Sequence, residues 1–121
     1  MLEKNIQSSI KSKLSKKGSL VVKFESPGSA GVPDLIVMAP FGVYFLEVKT
    51  ATGRLSQLQE HMHAKMRAVG ALVYVVRSTE AAEAAHAEAE TVLSHRKIDC
   101  FCRDNPRCPS RFWEGHHRSD R

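Results

Sequence analysis

Apolar residues recur every fourth position at the start of the chain, at Leu2, Ile6, Ile10 and Leu14, with lysines and serines between them. That spacing is the period of an amphipathic helix, and Gly18 is placed to cap its C-terminus. The period then changes. Leu20 to Phe24 (L-V-V-K-F) is a β-branched run that predicts a first strand. The small-residue loop Ser26-Pro27-Gly28-Ser29-Ala30-Gly31 follows, and lets the backbone come close to whatever lies beside it. Leu35 to Ala39 and Val43 to Val48 are two further apolar runs joined by the turn residues Pro40-Phe41-Gly42, a predicted hairpin.

Beyond a second small loop, Thr50 to Arg54, a helix is expected from near Ser56, which forms a capping-box pattern with Gln59. Leu55, Leu58, Met62, Met66 and Val69 are expected to line its apolar face, and Gly70 to stop it. Ala71 to Val76 (A-L-V-Y-V-V) is continuously apolar, as in a strand buried on both faces. The alanine-rich segment Thr79 to Leu93 predicts a last helix. The order is α-β-β-β-α-β-α, which implies an α/β fold with one mixed central sheet flanked by helices. After His95 the pattern dissolves into a Cys-, His- and Arg-rich run. The expected organisation is one domain over residues 1–97 and an irregular basic tail over residues 98–121.

A chain of 121 residues is long enough for one domain and too short for two. The formal net charge of +5 suits a polyanionic partner, because clustered lysines attract phosphate backbones without reading sequence. Lys4, Lys11, Lys13, Lys16, Lys17 and Lys23 crowd the start, and a solubilising surface explains them equally well. No apolar run is long enough to span a bilayer, and the N-terminal residues lack the apolar stretch of a signal peptide, so a cytosolic location is expected. Three cysteines, an odd number, argue against a disulfide framework.

The candidate chemistry lies in the hairpin. Asp34 opens its first strand, Glu47 interrupts the second, and Lys49 closes it. Strand side chains alternate, so Glu47 and Lys49 point the same way. Two carboxylates and an ammonium converging at the ends of paired strands make a divalent-cation pocket suited to phosphodiester hydrolysis, with the Val48 carbonyl available as a further ligand. Lys49 would orient or help deprotonate the attacking water and offset developing charge. An isolated E-V-K is more often a solvated charge pair. Here Glu47 follows V-Y-F-L, where an unpaired charge is expensive, so a purpose is expected of it.

These residues carry a family resemblance. G-V-P-D-L-I-V, then F-L-E-V-K-T, then G-R-L-S-Q-L-Q, behind a short helix beginning with Glu, resembles the VRR-NUC (virus-type replication-repair nuclease) branch of the PD-(D/E)XK superfamily, over about residues 2 to 80. The resemblance implies a restriction-endonuclease-like core with Asp34, Glu47, Lys49 and Gln59 as catalytic residues. It implies a Mg²⁺ site, Mn²⁺ substituting, held by Asp34, Glu47, the Val48 carbonyl and, through water, Glu3. It further implies a homodimer that cleaves branched or flapped DNA. A strict Holliday junction resolvase and a non-catalytic DNA-binding subunit are the alternatives. Gln7 and Lys23, with the loop positions Ser29 and Gly31, are candidates for contact with nucleic acid. The competing reading of Glu3 is a helix acid favoured by the macrodipole; that of Gln59 is the capping box, and both roles are compatible.

Other clusters rank lower. Cys100, Cys102 and Cys108, with His116 and His117, have poor spacing for zinc, and reduced thiols are expected. Phe112 and Trp113 beside Arg111 suit base stacking or an anchor for the tail equally. His61 and His63, two apart on the second helix, are expected to be solvated, and His86 and His95 show no catalytic arrangement.

Overall fold

The amphipathic start does form a helix in the computed structural model, which describes residues 2–99. Helix α1 runs Glu3–Lys16 and buries Ile6, Ile10 and Leu14. It ends as the glycine signal predicts. Gly18 has φ 86°, the Ser19 N–H donates to the Leu14 carbonyl at 3.1 Å and the Gly18 N–H to that of Ser15 at 3.0 Å, a Schellman closure. Strands β1 (Leu20–Lys23), β2 (Leu35–Ala39) and β3 (Gly42–Val48) follow, then α2 (Gln57–Ala68), β4 (Val73–Val76) and α3 (Thr79–Asp99). The sheet has the order β1-β2-β3-β4, antiparallel in its first two pairings and parallel between β3 and β4. No helix among the described residues is long and apolar enough to cross a membrane.

The chain clusters into two units, residues 1–90 and 91–121. The first holds the sheet and its helices. Of the second, only the continuation of α3 to Asp99 is described, so the expected irregular tail and its Cys, His and aromatic candidates lie outside the described residues. That continuation corrects an expectation. The helix passes both its expected end at Leu93 and the point after His95 where periodicity was expected to fail, since neither Gly nor Pro intervenes before Asp99 to break it.

Pairing fixes which residues share a face. Ala39 pairs with Gly42 across the tight turn, and the register continues to Leu35 opposite Leu46. Leu35 and Val37 of β2, with Tyr44, Leu46 and Val48 of β3, point to one face and join Ile6, Ile10 and Leu14 of α1 and Ala82, Ala85 and Ala89 of α3 in the core. Tyr44 is fully buried there, its hydroxyl 2.7 Å from His86 Nδ1. Burial raises the tyrosine above its ordinary range and, with Lys17 nearby, lowers the histidine. Both are therefore neutral near pH 7.

The opposite face belongs partly to α2, whose roll differs from expectation. Leu58 is 60% exposed and Val69 85%, while His63 is fully buried. The inward positions are Gln59, Met62, His63 and Met66, a set that keeps Met62 and Met66 of the expected stripe but has Gln59 and His63 in place of Leu58 and Val69. Gly31 is one reason. A Cβ built there would lie 2.4 Å from the Leu58 carbonyl oxygen and 3.0 Å from the Gln59 nitrogen, so the small-residue loop presses directly on the first turn of α2. Arg67 adds a tie at the other end by donating to the Val73 carbonyl at 2.7 Å.

Candidate active site

The hairpin register generates the site. The paired register ends at Leu35–Leu46, and one residue further along each strand Asp34 and Glu47 lie beside one another, close enough for their carboxyls to interact directly. Their face is turned away from the Leu35–Leu46 core and towards α2. Lys49, two residues past Glu47, projects to the same side. Asp34 is held at two points: its carbonyl accepts from the Phe24 N–H at 2.7 Å, and its Oδ2 accepts from the Val48 N–H at 2.9 Å. Val48 thus contributes a backbone donor that fixes Asp34. The loop after Lys49 is also tied, because Arg77 Nη1 donates to the carbonyls of Thr50 at 2.7 Å and Gly53 at 2.5 Å.

Glu47 is fully enclosed, and one of its oxygens is spoken for. Oε1 lies 3.2 Å from His63 Nε2, while Oε2 has no hydrogen-bond partner. Desolvation is the main reason that its carboxyl is pushed up to about 8; a hydrogen bond between the protonated carboxyl and Asp34, and the charge of Asp34, add to this, Lys49 opposes it and Glu3 adds a little. Burial, together with Arg67, lowers His63. The Glu47–His63 contact is therefore a hydrogen bond in an enclosed space, with neither partner favoured in its charged form. The expectation that His63 is solvated is overturned; His61, on the outer face, is exposed.

A buried carboxyl with an orphaned oxygen, facing a second carboxylate, is a site short of positive charge. Among the described residues no group of three or more His, Cys, Asp or Glu side chains is arranged to hold a metal ion. A cation here would take two carboxylates, Asp34 and Glu47, and complete its shell with water and backbone oxygen. Mg²⁺ accepts such a site and binds reluctantly to all-protein cages. The residues fit that ion.

The remaining candidates are placed as follows. Glu3, exposed in the first turn of α1, is near enough to act on the Glu47 carboxyl. Gln7 is half-buried one turn later. Gln59 closes the capping box: its Oε1 accepts from the Ser56 N–H at 2.9 Å while the Ser56 Oγ accepts from the Gln59 N–H at 3.1 Å. Lys23 is exposed and 3.6 Å from Glu25, an ion pair worth little in water. Ser29 is exposed in a turn closed by its own N–H to the Ser26 carbonyl, and Gly31 supports α2. His63 is the residue that sequence reasoning missed. Its signal was position: it lies one turn after Gln59, on the helix face that meets a strand carrying a buried acid.

No family model matches the sequence. The chain is 35% identical over 79 residues to "Putative nuclease p44" of Acyrthosiphon pisum secondary endosymbiont phage 1, a match covering 64% of this chain and 85% of that protein. Its fold is similar to a solved structure described as "VRR_NUC domain", with a TM-score of 0.65 and 32% identity over 70% of this chain and 94% of the other.

The raised carboxyl has a consequence for stability. In metal-free protein the folded state keeps the Glu47 proton up to about pH 8, whereas an ordinary glutamate loses it near 4.5. Its contribution is complete below the lower value and is lost as pH rises through the upper one. The lowered His63 acts in the opposite sense, but only below its ordinary 6.5. In EDTA, the melting temperature is therefore expected to fall between about pH 6.5 and 8, and Glu47→Gln to flatten that fall. A profile that is level in wild type, or equally steep in the variant, contradicts the assignment.

Proposed function

We propose that this chain, which belongs to the VRR-NUC family of nucleases, is a divalent-metal-dependent, structure-selective DNA endonuclease acting in the cytosol. The observation that carries this reading is the adjacency of the Asp34 and Glu47 carboxyls at the end of the hairpin, with Lys49 close enough to act on Glu47 and one Glu47 oxygen buried without a partner. Asp34, Glu47 and the Val48 carbonyl are the ligands we assign to Mg²⁺, with Glu3 reaching it through water. The bound ion would supply Lewis-acid polarisation of the phosphoryl oxygens and lower the pKa of a water.

The chain's own residues do the rest. Lys49 orients the attacking water and offsets charge that builds on the phosphoryl group. Asp34, fixed through Phe24 and Val48, cannot swing away from the scissile phosphate. The lysines of α1 (Lys4, Lys11, Lys13 and Lys16) are all exposed and supply sequence-independent attraction to a phosphate backbone. Gln7, Lys23, Ser29 and Gly31 lie on the segments we assign to the DNA path. Among the described residues no helix-turn-helix reader is recognisable, and branched or flapped DNA, recognised by shape and charge, is the substrate class we assign.

Lys49→Ala and Asp34→Ala are expected to cut at least about 10²–10³-fold more slowly than wild type, with DNA binding largely kept. The assay is a labelled panel of linear duplex, single strand, flap, splayed arm and four-way junction, with Mg²⁺, Mn²⁺ or EDTA. Unchanged cutting by both variants rules the site out. Binding without cutting in every metal points instead to a non-catalytic subunit, and symmetric paired nicks confined to four-way junctions point to a resolvase.

We further propose that two copies assemble through the face of β1, β2 and β3 that α2 leaves open. Leu20, Val22, Met38 and Val43 are exposed there, and the pairings Leu20–Met38 and Met38–Val43 make them contiguous. An apolar strip has nothing to offer a polyanion but suits an identical strip. Sedimentation equilibrium is expected to give a dimer for wild type and a monomer for Val43→Lys; a wild-type monomer excludes this assembly.

A further inference from the structure

The covered face of the sheet contains a choice that packing does not explain. Helix α2 leaves Leu58 and Val69 in solvent and turns His63 inwards, making an imidazole its fully buried side chain. Burying a polar ring is costly where one of its nitrogens is left unpaired, and His63 Nδ1 has no hydrogen-bond partner. An apolar side chain at position 63 and a roll that covered Leu58 would serve stability better. The roll is nevertheless held from several sides. The Ser56–Gln59 capping box sets the start of the helix, Gly31 lies against its first turn, and Arg67 binds the Val73 carbonyl near its end. His63 Nε2 is thereby placed 3.2 Å from Glu47 Oε1.

We propose that His63 is a positioning residue of the active site, whose Nε2–H engages Glu47 Oε1 so that Oε2 is the oxygen presented to the divalent cation. A carboxylate on a flexible side chain can offer either oxygen, or both, and a ligand that must be frozen on binding loses affinity. Here the rotamer is selected before the ion arrives. An ionised, metal-bound carboxylate can only accept, so the ring must donate from Nε2. Nδ1, lacking a partner, offers no competing role that would turn the ring over. The arrangement commits Glu47 Oε1 to the helix and leaves Oε2, buried and without a partner, as the uncommitted oxygen of a carboxyl that adjoins Asp34. Removing a hydrogen-bond partner of a metal ligand typically costs 10–100-fold in metal affinity.

This inference rests on the metal-dependent reading above, and the test separates the two. Mn²⁺ binding is measured from the electron paramagnetic resonance signal of the free ion, without DNA. Wild type, His63→Leu and His63→Gln are compared, with melting temperature in EDTA recorded for each. His63→Leu is expected to bind Mn²⁺ about 10–100-fold more weakly while melting no lower than wild type. His63→Gln, whose side-chain amide supplies an N–H near the same place, is expected to recover most of the affinity. Wild-type affinity in His63→Leu overturns the positioning role and leaves the metal reading standing. Equal weakness in the two folded variants assigns the loss to packing and also overturns it. No Mn²⁺ binding by wild type removes the metal reading and this inference together. If His63→Leu does not fold, His63→Asn replaces it: its amide stops short of Oε1, so affinity well below that of His63→Gln is expected, and equal affinities overturn the proposal.

Discussion

Enclosing a glutamate on the covered face of a sheet is the constraint to which the neighbouring structure answers. Glu47 is the penultimate residue of an apolar strand, and its backbone is fixed by the parallel pairing with Val75 of β4. Its carboxyl can leave neither the sheet nor the shadow of α2. Desolvation therefore holds a proton on it well above the ordinary glutamate range, and the adjacent Asp34 reinforces the effect. An isolated domain with no use for a cation would gain by replacing this carboxyl with an apolar group. The strain makes sense as a standing preference for positive charge at one spot.

The second helix shows the same trade. Its caps are satisfied at both ends, by the Ser56–Gln59 box and by a Schellman closure in which the Ala71 N–H reaches the Met66 carbonyl at 3.0 Å. Between those ends it sacrifices apolar burial, leaving Leu58 and Val69 in water while His63 meets Glu47. The core that stabilises the fold lies on the other face of the sheet, among α1, α3 and the inward residues of β2 and β3. Separating the two faces lets one be optimised for packing while the other carries the cost of chemistry.

Much of this was legible in the chain itself. The i+4 stripe of α1, the glycine signals at Gly18 and Gly70, the capping box and the hairpin turn all reflect local rules, and each reappears in the structure. Asp34, Glu47 and Lys49 were legible as a group because strand alternation is simple. What could not be read was the roll of α2, since counting apolar residues treats Leu58 and His63 by hydropathy alone. The roll depends on Gly31 reaching the Leu58 carbonyl from 27 positions earlier in the chain, and on a buried acid across the interface. Both are tertiary facts. The end of α3 is hidden for the opposite reason: the amphipathic period is lost while the helix continues, because the residues to Asp99 contain no breaker.

The central claim, that the Asp34–Glu47 pair exists to receive a divalent cation, is tested most directly by calorimetry. Mg²⁺ would be titrated into the protein at about pH 7 in buffers of differing ionisation enthalpy, for wild type and Glu47→Gln. A carboxyl pushed up to about 8 must give up its proton when it takes the ion, so wild type should release nearly one proton per cation bound, and the variant none. Binding with no proton release, or no binding at all, would contradict the account.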